Sequence, residues 1–471
     1  MRRSAIVEGK RVMGSRSTPA IAWHIPTFVR SVIESLYDEG HEAYVVGGAV
    51  RDLCMGRPVT DWDVTTSASA AQITSLFTDL RSFSLKHETV TLVYKGNHYE
   101  VTTFRGPQQT LEDDLQHRDF TINAMAYDME RSMVIDPWGG RIDIGKKVVR
   151  GVVSPEDRFR EDPLRLIRAV RIATELGFRI EGKTLKAIAL MADAITSPAP
   201  ERIRDEVIRI LLCEKPSQGL DLMKKTGLLA SILPEIAETA ARKVSPRRPV
   251  SVYRHVMAVV DRVEPEEVLR AAALFHGLGE PQSPDHACPG LRAAREIMVR
   301  LCFSKSVIRR VLNLVQGQEA LAECHPSWSD GDLRRFIRRV GSEKLGTIVA
   351  LRRAHLLSLP KPIQAPLRRL NEVETKIRGL IKASFVRGPQ DLAIGGSKVM
   401  EVTGLSPGPE IGRVLKRLSE DLMDHPEWNT PRKLVAMVKK MHPAGLPEHA
   451  EGFSEIHGTT GRLKTRAQPK S

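Results

Sequence analysis

The sharpest chemical signal in the chain is a pair of aspartates two residues apart, Asp61 and Asp63 in DWDVTT. In an extended strand, residues two apart share a side. Both carboxylates can therefore face one site while Trp62 points the other way. Hard oxygen donors at this spacing suit Mg²⁺ held between protein and phosphate oxygens. One ion can activate a hydroxyl nucleophile while a second steadies pyrophosphate as it leaves. Upstream, GGAVRD at 47–52 reads as a glycine turn. Gly47 and Gly48 let backbone amides approach a triphosphate, and Arg51 adds complementary charge. Glu100, in the later run HYEVTTF, is a candidate third carboxylate. Nucleotidyl transfer needs this whole set.

A second constellation lies in EDPLR. If 161–176 is one helix, Glu161 and Arg165 are four apart and brace one another. That leaves Asp162 and Arg165 to offer acceptors and donors to a base edge, with Arg168 one turn further on.

The elements that must position these residues can be read from periodicity. Apolar spacing from Phe28 to Leu36 predicts a helix, and EAYVVGGAV predicts a strand entering the glycine turn, with a helix from Arg51 to Met55. DWDVTT at 61–66 reads as a strand, and TVTLVYKG with HYEVTTF as a hairpin joined by Gly96-Asn97. After Val152 the texture becomes helical, with predicted segments at 161–176, 183–194, 201–213, 252–263, 266–276, 291–302 and 408–440.

Composition agrees with a multidomain soluble chain. At 471 residues several cores are expected, and 71 Lys and Arg against 57 Asp and Glu give a formal charge of +14. An anionic partner follows from that balance. Five widely spaced Cys argue against a disulfide framework or a Cys-rich zinc site and fit a reducing compartment. No apolar run is long enough to span a bilayer, and the basic start lacks the continuous apolar stretch of a signal peptide. A cytoplasmic location and no membrane partner are expected.

In order, GGAVRDLCMGRPVTDWDVTT, HYEVTTFR, HRDFTINAMAYD, DPWGGRIDI and EDPLRLIRAVRIATELGF resemble the bacterial class II tRNA nucleotidyltransferase and poly(A) polymerase family. The likeness is detailed over about 44–212 and looser to about 440. It implies an α+β, polymerase-beta-like nucleotidyltransferase head followed by an all-α neck, body and tail. The expected divisions are a flexible basic tail (1–27), head (28–150), neck with the base-recognition helix (151–215), body (216–385), tRNA-binding tail (386–447) and disordered C-terminus (448–471).

The resemblance also implies roles for individual residues. Asp61 and Asp63 become the catalytic, Mg²⁺-binding pair, while Gly47, Gly48, Arg51, Asp52 and Arg118 hold the triphosphate. Asp119 and Asn123 lie at the sugar, and Glu161, Asp162, Arg165 and Arg168 read the base without a nucleic-acid template. His117 stands where the family commonly has arginine. The implied partner is the acceptor and TΨC arm of tRNA with its 3′ end.

Between Arg105 and Leu111 stand only GPQQT, where members that add A commonly carry a much longer segment. This resembles the CC-adding branch, which uses CTP and leaves the last step to a separate A-adding enzyme. Full CCA addition, with ATP as a further substrate, is the first alternative. A addition, poly(A) synthesis and a noncatalytic RNA-binding role rank below it. Sequence leaves the oligomeric state open.

Further along, His255 in YRHVMAVVD and His276 in LFHGLG resemble a phosphohydrolase of the HD type, but Gly277 replaces the carboxylate that should follow. His286 is the remaining candidate there. A degenerate HD-like body is expected, its histidines packed or hydrogen-bonded rather than hydrolytic. Basic patches at 242–248, 309–310, 333–339 and 439–440, and RGPQDLAIGG at 387–396, are candidates for RNA contact.

Overall fold

The computed structural model describes residues 23–85, 88–245, 248–279, 289–323, 328–359, 364–383 and 386–442. Both predicted terminal tails, apart from 23–27, lie outside these residues, as does His286. The chain divides into two compact units, one comprising 1–324 and 343–371, the other 325–342 and 372–471. Among the described residues, no helix is long and apolar enough to cross a membrane.

The larger unit begins with α1 (Thr27–Asp38), whose Val29, Val32, Ile33 and Leu36 form one buried stripe at helical spacing. They pack with Val45 and Val64 of the sheet and with Trp62 in a single core. The sheet has seven strands in the order β3-β4-β5-β2-β1-β6-β7. These are β1 (Ala43–Val46), β2 (Asp63–Thr66), β3 (Arg81–Leu85), β4 (Thr89–Tyr94), β5 (Asn97–Thr103), β6 (Ala126–Asp128) and β7 (Met133–Ile135). Within this sheet, among the described residues, only β2 and β5 pair in parallel, and their register sets Asp63 opposite Glu100. On its other side Asp63 pairs with Val46, the last residue of β1. The start of the central strand and the glycine turn are thus brought to one edge.

Three predicted elements shift. The β4–β5 turn centres on Lys95 and Gly96, both with positive φ, the conformation that a tight hairpin turn requires. The strand of DWDVTT begins at Asp63, so Asp61 lies on the exposed approach to it. The helix expected over 161–176 is two helices, because Asp162 is extended at φ −144° and ψ 100°. Pro163 is the cause, since a proline disfavours helical backbone in the residue before it.

Around the sheet lie α2 (Gly48–Cys54), α3 (Ala70–Leu76), α4 (Leu111–Gln116) and α5 (Gly140–Gly145). Then come α6 (Pro155–Glu161), α7 (Leu164–Leu176), α8 (Gly182–Leu190), α9 (Pro200–Leu211) and α10 (Pro216–Thr226). Helices α7 and α9 are joined by a largely buried ion pair, Arg171 Nε to Glu206 Oε2 at 2.6 Å. The unit continues with α11 (Leu228–Ile232), α12 (Pro234–Glu238), α13 (Val252–Arg262), α14 (Glu267–Phe275), α15 (Pro289–Arg300) and α16 (Lys305–Glu323). Helix α17 (Asp330–Val340) belongs to the smaller unit, α18 (Leu345–Leu357) to the larger, and α19 (Gln364–Lys382) contributes to both. The smaller unit is completed by α20 (Gly396–Thr403), α21 (Pro409–Asp421) and α22 (Pro431–Met441) around Val399, Leu418, Leu434 and Val438. The helical section expected over 408–440 comprises α21 and α22.

Candidate active site

Gly47 is the pivot of the site. Its backbone at φ 74° and ψ −136° lies in a region that only glycine adopts without strain. A Cβ built on it would lie 3.0 Å from Arg118 Nη1 and 3.5 Å from Asp63 Oδ2. The turn, a guanidinium edge and a carboxylate therefore converge without room for a side chain. Burial pushes the Asp63 carboxyl above the usual carboxylate range. Arg118 and Arg168 oppose that shift, and the negative charge of Asp61 adds to it. Glu100 is raised too, by desolvation and then by the neighbouring Asp63 charge. Carboxylates crowded in this way favour a bound cation, and their oxygens are the donors that Mg²⁺ prefers. Glu100 does not close with Asp61 and Asp63 into a compact trio. Among the described residues, the one group of three such donors within 4.8 Å of each other is elsewhere.

Behind this edge runs a chain of charge-assisted hydrogen bonds. Arg51 donates from Nε and Nη2 to Asp52, both at 3.0 Å, and from Nη1 to Asn123 Oδ1 at 2.9 Å. Asn123 Nδ2 donates in turn to Asp119 Oδ1 at 3.0 Å, and Asp119 Oδ2 lies 2.9 Å from Arg168 Nε. Burial alone would raise Asp119, but Arg168 and the Asn123 hydrogen bond outweigh it and hold the carboxyl below its ordinary range. Residues expected at the triphosphate and the sugar thus form one connected network. Arg51 faces inward on it and only 9% of its surface is exposed.

Two supporting residues were missed in the sequence. Asp114 is fully buried and accepts from Arg118 Nε at 3.2 Å and Nη2 at 3.0 Å, which leaves Nη1 turned toward Gly47. Arg105 donates its backbone N–H to the same carboxylate at 3.3 Å and adds an ion pair at 3.4 Å. The four-residue spacing of Asp114 and Arg118 on the rim of a short helix was the available signal.

The EDPLR residues do come together, across the break at Asp162. Arg165 Nη1 donates to Glu161 Oε2 at 2.8 Å and to the Arg158 carbonyl at 3.1 Å, while Nη2 donates to the His117 carbonyl at 2.8 Å. Asp162 caps the second helix through Leu164 N–H and pairs with Arg202 of α9 at 2.9 Å. Arg202 is a further contributor that sequence spacing did not reveal.

The five-residue connection after Arg105 is a pinned turn. Gln108 N–H donates to Asp113 Oδ2 at 2.7 Å, and Thr110 caps α4. Gly106, at φ 98°, leaves space for the Asp113 carboxylate, which a Cβ there would meet at 2.5 Å.

The basic patches differ in availability. In 333–339, Arg335 and Arg338 pair with Glu420, Arg335 also with Asp424, and Arg334 donates to the Met423 carbonyl, whereas Arg339 is exposed. Arg242 is committed to the carbonyls of Gly277 and Leu278, and 246–247 lie outside the described residues.

A mixed α+β head with this carboxylate-bearing edge, followed by helices, defines a nucleotidyltransferase of the polymerase-beta-like kind. Residues 43–150 match the "Poly A polymerase head domain", residues 177–239 the "Probable RNA and SrmB- binding site of polymerase A", and residues 288–438 a second-domain model of tRNA nucleotidyltransferases. The CCA-adding enzyme of Geobacillus stearothermophilus is 33% identical over 422 residues, covering 86% of this chain and 95% of that protein. That of Geobacillus thermodenitrificans is 41% identical over 421 residues, with the same coverage of 86% and 95%. The crystal structure of the Bacillus stearothermophilus CCA-adding enzyme in complex with CTP superposes with a TM-score of 0.67 at 28% identity, over 89% of this chain and 98% of that one. The chain belongs to the class II tRNA nucleotidyltransferase, or CCA-adding enzyme, family. None of these relatives singles out a branch that adds C alone.

Proposed function

We propose that this chain adds C, C and A to the 3′ end of tRNA, using CTP and ATP and no nucleic-acid template. The observation that carries the reading is the convergence of Asp63, Arg118 and the glycine-only turn at Gly47. The names of the relatives, CCA-adding enzymes matched along nearly their whole length, support the choice of reaction.

In this reading Asp61 and Asp63 hold Mg²⁺, with Glu100 at the rim. Bound there, the ion lowers the pKa of the attacking hydroxyl and neutralises charge on the phosphates. The backbone of Gly47 and Gly48 lies along the triphosphate, and Arg118 Nη1 offers it a charged donor. Arg51, Asp52, Asp119 and Asn123 hold that surface rigid and present the sugar-binding side, braced by Arg168. Glu161, Asp162 and Arg165 present the polar edge that selects the base, kept preorganised by the Glu161–Arg165 pair and the Asp162–Arg202 pair. The RNA 3′ hydroxyl attacks the α-phosphate in line and pyrophosphate leaves.

A second reading stops after two C residues and leaves A to a separate enzyme. The pinned five-residue turn between Arg105 and Leu111 favours it, because it lacks the length of a segment that could re-shape the pocket for ATP.

One assay tests both. Labelled CTP and ATP are offered separately to tRNAs ending before CCA, after C and after CC, and products are resolved to one nucleotide. AMP incorporation on the CC end supports full CCA addition, and its absence beside normal CMP incorporation selects the second reading. Asp63→Ala should abolish both incorporations while tRNA binding persists. Unchanged incorporation in that variant would overturn the site assignment.

A further inference from the structure

Three imidazoles from separate segments of the larger unit meet away from the nucleotidyltransferase edge. His255 lies in α13, His276 directly follows α14, and His355 lies in α18. One nitrogen from each lies within 4.8 Å of the others. His255 Nε2 is 3.0 Å from His355 Nδ1 and 3.3 Å from His276 Nε2.

The surrounding carbonyls decide the tautomers. His276 Nδ1 is 2.7 Å from the Ala273 carbonyl oxygen, and His255 Nδ1 is 3.3 Å from that of Ser358. A carbonyl only accepts, so each Nδ1 carries the proton and, in the neutral ring, each Nε2 presents a lone pair. With these tautomers the two Nε2 lone pairs face one another at 3.3 Å, a contact that a cation bound to both would relieve, and His255 Nε2 also lies 3.0 Å from His355 Nδ1. His255 and His276 are buried, at 4% and 7% exposure, where bulk water cannot supply a bridging hydrogen bond.

Two of the three separations, 3.0 and 3.3 Å, suit a shared metal ion, and the third pair lies within 4.8 Å. Two imidazole nitrogens bound tetrahedrally to zinc lie about 3.3 Å apart, from Zn–N bonds of about 2.0–2.1 Å. Anchoring the remote N–H on a backbone carbonyl is also how metal-binding histidines are held in one orientation. We propose that His255 Nε2, His276 Nε2 and His355 Nδ1 bind one zinc-class divalent ion, with water completing the coordination.

The site differs from a histidine–aspartate pair for a steric reason. A Cβ at Gly277 would sit inside van der Waals contact of Val256 Cγ2, so no carboxylate can follow His276 without displacing a buried side chain. The positive charge of Arg352 acts on all three rings, which makes the site weaker than one carrying a carboxylate. The ion would tie α13, α14 and α18 together.

The test uses the purified full chain, stripped with a chelator and titrated with CoCl₂ and then ZnCl₂. We expect about one Co²⁺ per chain with the visible absorption of a four-coordinate ion, its displacement by Zn²⁺, and a higher melting temperature with either metal. His355→Ala and His276→Gln should each weaken binding by more than about tenfold, at least the loss seen when an outer partner of a metal ligand is removed. Far-UV circular dichroism and CTP incorporation should persist in both. If one variant fails to fold, the other carries the test. Asp63→Ala should retain the Co²⁺ absorption, which separates this site from the nucleotidyltransferase edge. Absence of the absorption in the wild-type chain, or its survival in the folded histidine variants, would overturn the proposal.

Discussion

Gly47→Ala is the substitution from which the geometry of the active edge demands most. The backbone at φ 74° and ψ −136° is open to glycine alone, and forcing another residue into such a region costs about 1–3 kcal/mol. The new methyl would also press on Arg118 Nη1 at 3.0 Å, tighter than ordinary contact, and touch Asp63 Oδ2 at 3.5 Å. Arg118 cannot yield freely, because Nε and Nη2 are tied to buried Asp114. The strain is small beside a folding free energy of about 5–15 kcal/mol, so the protein should fold and the turn should move instead. If that displacement removes the same 1–3 kcal/mol from transition-state binding, kcat/KM for CTP falls by about 5- to 150-fold, at about 1.36 kcal/mol per decade. Gly40→Ala is the control, since Gly40 also has positive φ, at 80°, but nothing within 4 Å of its Cβ position. It should carry a backbone cost without the loss in kcat/KM. Steady-state CMP incorporation and thermal unfolding on all three proteins decide the matter. A Gly47→Ala enzyme with wild-type kcat/KM would refute the reasoning.

Three more predictions concern the scaffold. Glu206→Ala leaves the buried Arg171 guanidinium with only the half-exposed Glu175 as partner; urea denaturation should show a loss of about 3 kcal/mol, and a loss under about 1 kcal/mol would count against the pair. Asp114 is held below the ordinary carboxylate range because Arg118 and Arg105 outweigh the burial that would raise it. Its folded pKa lies under its unfolded value near about 3.9, so its stabilisation is present above that pH and disappears as pH falls through the folded value; melting curves between pH 5 and about 2.5 should therefore fall more steeply for wild type than for Asp114→Asn. Gly277→Ala crowds buried Val256 and half-buried Val252 and should cost about 1–3 kcal/mol in denaturant unfolding, with CTP incorporation unchanged.

What could be read from the chain alone was whatever depends on neighbours in sequence. The short separation of Asp61 and Asp63 keeps the charge of one acting on the other, and paired glycines announce a turn that no side chain can share. Helical spacing marks the buried stripe of α1. The break at Asp162 was also within reach, since Pro163 signals it locally, yet the continuous apolar spacing of 161–176 concealed it.

The tertiary structure decided the rest, because those relations span tens of residues and no short-range pattern encodes them. Only the strand order sets Glu100 opposite Asp63 in register. Only the fold turns Asp162 toward Arg202, forty residues on, whereas Asp114, four residues before Arg118, did leave a local signal. His355, a hundred residues from His255, carried no signal of its own. It becomes part of a site only when α18 packs against α13, since hydrophobic burial acts between faces of helices and does not depend on their distance along the chain.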